Sequence, residues 1–238
     1  MLNRLLMTVV LASLALVGAL LIIAKSRIGN NESGPESWPP LIMSYKEQGQ
    51  IGLIADGGIG TQTYQLDYDG PQKWKLTILD STKRDNIGSW RAFDGNTINT
   101  YQADANYTDT ITVSKEGVFY APDQWLTPLY ILSLSAKPNV VKQPSDQPNR
   151  EVLELTEEVP CLRDIPVTEA QKQAGLIIPE LTEAQKQLGV KPCVPDQKSR
   201  ISTRQVTYTV DHLIPMQIID KVDGIGVFTA TVEKLTFK

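Results

Sequence analysis

The chain reads as mainly β with few helices, an α+β arrangement. A bent antiparallel sheet, in effect a half-barrel, is partly covered by short helices and preceded by one N-terminal transmembrane helix. Three observations predict this. Apolar and polar residues alternate at period two through most of the chain beyond residue 40. Turn signals separate the alternating runs at Asp56-Gly57-Gly58, Asp69-Gly70-Pro71, Asp94-Gly95-Asn96 and Asp223-Gly224. No long alternating helix lies between the runs, which argues against a parallel α/β sheet.

At the N-terminus, Arg4 precedes a stretch without charge from Leu5 to Ala24, and Lys25 and Arg27 follow it. About twenty helical residues at about 1.5 Å each cover the roughly 30 Å of a bilayer's hydrocarbon core. The run ends without an A-x-A-like cleavage site, which favours a retained signal anchor over a removed signal peptide for residues 1–27. Residues 28–40 are polar and proline-bearing and read as a linker, and residues 41–238 read as one domain.

Positive charge flanks the apolar run on both sides, so it gives almost no orientation bias. The two cysteines, Cys161 and Cys193, both lie beyond the run and suit one disulfide in an oxidising space. The expected localisation is therefore the cytoplasmic membrane, single-pass, with the body on the extracytoplasmic side. Two unrelated buried thiols in a cytoplasmic domain are the alternative.

Within the body, Tyr64, Leu66 and Tyr68 share one face of a strand, and Trp74, Leu76 and Ile78 repeat the pattern in the next. Further strands are predicted at Leu41–Glu47, Ser89–Phe93, Thr97–Gln102, Thr110–Ser114, Glu151–Glu157, Ile201–Val210, Pro215–Val222 and Val227–Phe237. Trp125–Ser135 has neither a clean strand nor a clean helix spacing and reads as a short helix. Lys137–Arg150 is rich in Pro, Asn, Gln and Ser and reads as an exposed loop. Thr168-Glu-Ala-Gln-Lys-Gln-Ala-Gly175 recurs as Thr182-Glu-Ala-Gln-Lys-Gln-Leu-Gly189. Each copy has an N-cap threonine and a terminal glycine, but two turns of helix are too short to stand alone in water. Cys161 and Cys193 bracket both copies, so the segment at about 158–197 reads as one insertion pinned at its base. A tandem duplication that merely fills a connection is the plainer reading.

Chemistry-bearing motifs are sparse. The net charge of −4 and the absence of a basic, aromatic-interleaved cluster exclude a nucleic-acid partner. The single histidine, His212, has no second histidine to complete a zinc site, and Asp67-Tyr68-Asp69-Gly70 lacks the distal ligands of a calcium loop. Asp56-Gly-Gly-Ile-Gly60 has no following Lys-Ser/Thr to cradle a phosphate. No Gly-x-Ser-x-Gly elbow occurs. No cofactor, metal site or catalytic residue is expected, short of a carboxylate pair brought together by folding.

Trp74-Lys-Leu-Thr-Ile-Leu79, Ser89-Trp-Arg-Ala-Phe-Asp-Gly95, Tyr208-Thr-Val-Asp-His-Leu-Ile-Pro-Met-Gln-Ile218 and Leu235-Thr-Phe237 follow an N-terminal export segment. Together they resemble the LolA-like superfamily of lipoprotein carriers, with its lipid-binding envelope relatives. The resemblance implies a bent antiparallel sheet around helices, with an apolar cavity for acyl chains. The insertion is similar to a module of Gram-positive sporulation and anti-sigma proteins, most closely over Thr168–Glu180.

The expected function is a membrane-anchored, extracytoplasmic binding domain that accommodates a lipid or lipidated protein in an apolar cavity without catalysis. Candidate cavity residues are Tyr64, Leu66, Trp74, Leu76, Ile78, Trp90, Tyr208, Phe228 and Val232, with Val210 and Ala230 on the same faces. The alternative is an envelope regulatory or scaffold protein of the same fold that binds another protein. In a third reading, a hydrolase, two carboxylates would carry the activity.

Overall fold

The computed structural model describes residues 37–50, 59–113, 122–123, 125–161, 181 and 183–238. The expected anchor, most of the linker, the Asp56-Gly57-Gly58 turn and the first repeat copy lie outside the described residues. Among those described, no helix is long and apolar enough to cross a membrane.

Eleven strands form one antiparallel sheet. They are β1 (Leu41–Gln50), β2 (Ile59–Gly70), β3 (Lys73–Ser81), β4 (Trp90–Phe93), β5 (Thr97–Gln102) and β6 (Tyr107–Thr112), then β7 (Val140–Pro144), β8 (Arg150–Pro160), β9 (Ser199–Thr209), β10 (Pro215–Val222) and β11 (Ile225–Phe237). Among the described residues the α-helices are α1 (Pro128–Ser135) and α2 (Glu183–Gln187), with a 3-10 turn at Arg84–Asn86. The spatial order is β6-β5-β4-β3-β2-β1-β11-β10-β9-β8-β7, so the sheet is open, with β6 and β7 at its edges. Two meanders meet where the first strand pairs with the last. The chain from β6 to β7 must therefore travel from one edge to the other, and α1 lies on that crossing.

Register places the apolar positions on one face. Leu41, Met43 and Tyr45 of β1 stand opposite Tyr68, Leu66 and Tyr64 of β2, which in turn oppose Trp74, Leu76 and Ile78 of β3. In the other meander, Val206 of β9 opposes Ile218 of β10 and Leu153 of β8, and Ile218 opposes Ala230 of β11. The register breaks at Ser44/Tyr45, Thr63/Tyr64, Tyr68/Gly70, Pro215/Gln217 and Asp220/Lys221, bulges or local irregularities of the ladders that leave the apolar side inward. Residues of both meanders join one buried core with Trp38, Trp125, Leu126, Ile131 and Leu134.

The short helix expected from Trp125–Ser135 forms over its last eight residues. Thr127 is its N-cap, its hydroxyl accepting from the Leu129 N–H at 3.2 Å, and Pro128 fills the first turn where no N–H is needed. Its moment along the helix is weak because residues on nearly every side are apolar. That is why the spacing matches no simple period, and Pro128, Ile131 and Leu134 are the ones buried.

The segment expected to be an exposed loop, Lys137–Arg150, contains β7. This strand is short, largely exposed and ends in Pro144, as an edge strand tolerates. Its ladder to β8, Val140 opposite Leu155 through Pro144 opposite Glu151, supplies an order that its own composition does not.

The insertion returns through α2, the second repeat copy. Its end is a Schellman motif: the Gly189 N–H donates to Lys186 O and the Val190 N–H to Gln185 O, both at 3.0 Å, with Gly189 at φ +87°. Cys161 and Cys193 are disulfide-bonded. Arg200, buried, donates to Lys191 O at 2.8 Å beside that bridge. The bridge closes a loop of separation 32, for which the chain-entropy model gives about 3–4 kcal/mol. Replacing both cysteines by serine is expected to lower the urea midpoint of unfolding accordingly, and an unchanged midpoint would show the bridge to be energetically idle.

Candidate functional site

The inward face of β1 runs Leu41, Met43, Tyr45, Glu47, so a carboxylate occupies a core position near the middle of the sheet. Glu47 is only 8% exposed and stands opposite Gln62 of β2, itself buried, and Ala230 of β11. Tyr45 stacks on Tyr64 with ring centroids at 4.8 Å, and Trp125 meets Tyr45 edge-on at 5.0 Å. Aromatic rings thus wall one side of the carboxylate.

Beside this group opens a cleft of about 310 Å³, lined by Glu47, Asp123, Trp125, Tyr130, Arg204, Ile218, Asp220 and Phe228. That volume is at the lower end of the range of roughly 300–1,000 Å³ typical of small-molecule sites. A second cleft of about 340 Å³ adjoins it across Tyr130, Arg204 and Asp220 and extends to Leu134, Leu155 and Val227. Ile218, Phe228 and Trp125 make an apolar floor. Arg204 grips Asp220 through both oxygens, at 2.6 and 2.7 Å, and also donates to the Tyr130 hydroxyl at 3.3 Å, fastening α1 to β9 and β10. These contacts hold the Arg204 pKa well above its ordinary value, the Asp220 hydrogen bonds being the largest cause.

Burial pushes the Glu47 carboxyl up to about 7, and the neighbouring Asp123 charge pushes in the same direction. Trp125 and Tyr64 oppose the rise by donating toward it, although the Trp125 indole N–H falls short of full hydrogen-bond geometry. Burial likewise raises both Tyr45 and Tyr64, with the Glu47 charge second. Among the described residues the Tyr45 hydroxyl has no hydrogen-bond partner.

The candidate cavity residues divide. Leu66, Trp74, Leu76 and Tyr208 are buried in the core, Tyr64, Ile78, Phe228 and Val232 are half-buried on the same side, and Ala230 is fully buried. Of these, only Phe228 borders the first cleft. Trp90 is on the opposite face. It pairs with Thr77, stacks near Tyr101 and receives the Lys75 ammonium at 5.0 Å from its ring. The expectation went astray because β4 enters one residue out of phase with the alternation assumed for it. Val210 lies past the end of β9 and is 45% exposed.

Glu47 and Asp123 were missed as site residues. The signal available for Glu47 was a carboxylate in phase with Leu41, Met43 and Tyr45, a polar residue at an inward strand position. For Asp123 no local signal existed, because its role depends on the crossing between sheet edges. His212, at the turn between β9 and β10, contacts Asp211 and Phe237 and does not border either cleft. Among the described residues, no group of three or more His, Cys, Asp or Glu is arranged to hold a metal ion.

No protein-family model matches the chain, and no curated protein matches it. Solved structures similar to it include an uncharacterized conserved protein from Thermus thermophilus, with 7% identity over 93% of this chain and 87% of that one at a TM-score of 0.41. A LolA superfamily protein from Nitrosomonas europaea has 10% identity over 85% and 86%, at a TM-score of 0.31. An outer membrane lipoprotein-sorting protein domain from Vibrio parahaemolyticus has 7% identity over 92% and 91%, at a TM-score of 0.30. The superfamily that the sequence resembles is thus among these neighbours. Likenesses this distant carry no argument about ligand or partner.

Proposed function

We propose that the chain is a non-catalytic binding protein, anchored by residues 5–24 with its body on the extracytoplasmic side. Its ligand is a lipid or the acyl chain of a lipidated protein, which enters between α1 and the sheet. The observation that carries this reading is a mismatch of scale. Eleven strands at about 4.8 Å spacing present a face about 50 Å across, while an eight-residue helix is about 12 Å long and about 10 Å wide. The apolar face lies on the inner strands, the edge strands β6 and β7 being largely exposed, and the cleft where Trp125, Ile218 and Phe228 meet Glu47, Asp123, Arg204 and Asp220 is where closure would be incomplete.

An acyl chain entering there would replace the contacts of Leu126, just ahead of α1, and of Ile131 and Leu134 on it with its own methylenes, each worth about 0.8 kcal/mol on burial.

The test uses the full-length chain purified in mild detergent, with native mass spectrometry for copurifying lipid and a fluorescent fatty-acid probe for uptake. Phe228→Trp is expected to reduce probe uptake several-fold with little change in melting temperature. Leu76→Trp, placed in the filled core, is expected to cost about 1–3 kcal/mol of stability. If the protein takes up no probe and carries no lipid, the binding reading is abandoned for the envelope scaffold, whose partner should be lost on deleting residues 168–196.

A further inference from the structure

We propose that the cleft beside Glu47 seats a quaternary ammonium group, with the Glu47 carboxylate as its counter-ion and aromatic side chains as its walls. The inference rests on the binding role proposed above, in which that group is the head of the bound lipid, and it names the chemical class of the head.

Glu47 is a buried carboxylate without a counter-ion. Among the described residues, burial, the Asp123 charge and donation from Trp125 and Tyr64 make up its surroundings, and no lysine or arginine acts on it. Arg91 of β4 acts on Tyr45 and Tyr64 but not on Glu47. Arg204, across the cleft, is held by both oxygens of Asp220 at 2.6 and 2.7 Å, so that pair is neutral as a unit. Asp123 has an interaction of its own, so the charge in the cleft that lacks a cation is that of Glu47 alone. A carboxylate only 8% exposed is costly to ionise in that setting, and a ligand that brings the cation with it offsets the cost.

The lining decides which cation fits. Trp125 from the segment ahead of α1, Tyr130 from α1 and Phe228 from β11 border the same cleft, and Ile218 from β10 adds an aliphatic surface. A primary ammonium carries three N–H donors, each of which needs an acceptor once water is excluded. The oxygens at hand are already engaged. Tyr130 accepts from Arg204 at 3.3 Å, both Asp220 oxygens hold the same guanidinium, and Tyr64 and Trp125 donate toward Glu47. A quaternary ammonium has no N–H to satisfy, and aromatic rings attract it through their negative faces. It needs charge from Glu47 and contact from the walls, and the cleft of about 310 Å³ supplies both.

Choline and its uncharged carbon isostere, dimethylbutanol, share a shape and differ in charge, so comparing them tests the seat. Titrated calorimetrically into the full-length chain in a nonionic detergent, choline is expected to bind about 10- to 30-fold more tightly than the isostere. Glu47→Gln should remove most of that difference while leaving the melting temperature unchanged or higher, since it deletes a buried charge and keeps the volume. Equal binding of the two probes by the wild type would overturn the seat, and that comparison decides the matter even if Glu47→Gln fails to fold. Choline selectivity that persists in a folded Glu47→Gln protein overturns it equally. Tighter binding of n-butylammonium, the head of a lysine side chain, would overturn the quaternary group in favour of a protein amine. Acyl-probe uptake without choline selectivity would leave the binding role standing and remove the seat, whereas choline selectivity without uptake or copurifying lipid would keep the seat and remove the lipid.

Discussion

Replacing Gly49 by alanine is expected to destabilise the domain by about 2–6 kcal/mol, combining a backbone strain of about 1–3 with an overpacking cost of about 1–3. Gly49 sits near the end of β1 at φ +127°, where an L side chain is strained whatever the space around it. A Cβ added there would meet Val227 O at 2.3 Å and Phe228 Cα at 2.9 Å, both backbone atoms of β11 that no rotamer change can move. The two meanders are joined only through the β1–β11 pair at the middle of the open sheet, so a separation forced here loosens that joint. Gly226 on β11 is the control, since nothing lies within 4 Å of a Cβ built there. At about 2–4 °C per kcal/mol for a domain of this size, thermal melting should separate the variants by about 5 °C or more. Equal melting temperatures for Gly49→Ala and Gly226→Ala would show that the close approach is not constraining.

Tyr45→Ala is expected to cost about 3–5 kcal/mol, while Tyr45→Phe should be neutral or stabilising. The ring is fully buried, stacks on Tyr64 and supports Trp125, so truncation opens a cavity beneath the crossing segment. Among the described residues its hydroxyl has no hydrogen-bond partner, and the Glu47 and Asp123 charges raise its pKa further. Removing an unsatisfied buried hydroxyl recovers part of a desolvation penalty of about 1–3 kcal/mol. Chemical denaturation of the two variants separates packing from polarity. A Tyr45→Phe protein as damaged as Tyr45→Ala would mean that the hydroxyl has a partner essential to the fold.

Alternation alone located β1, β2, β3, β5 and β8 through β11, because each has one face in a core and one in water, and that asymmetry is written into every second residue. It did not locate β7, which is exposed apart from Val140 and is held mainly by its ladder to β8. It misplaced Trp90, because a four-residue strand is too short for the phase to be read from its own residues. The cysteine pair was legible, since two thiols flanking one insertion leave no other partner. The site was half legible. Phe228 fell among the expected apolar residues, whereas Glu47 was passed over in its strand and Asp123 gave no sign at all.

By itself, then, the sequence determined a mainly β antiparallel fold with few helices, most strand positions, the helix at α1 and the disulfide, all of which depend on residues near one another in the chain or on their count. Only the tertiary structure decided that β1 pairs with β11, that Trp125, Leu126 and α1 join the core, and that Glu47 and Asp123 line one cleft. Those outcomes depend on which distant segments meet. Hydrophobic burial favours many such meetings almost equally, and the choice among them rests on the register, bulges and close packing of the whole sheet.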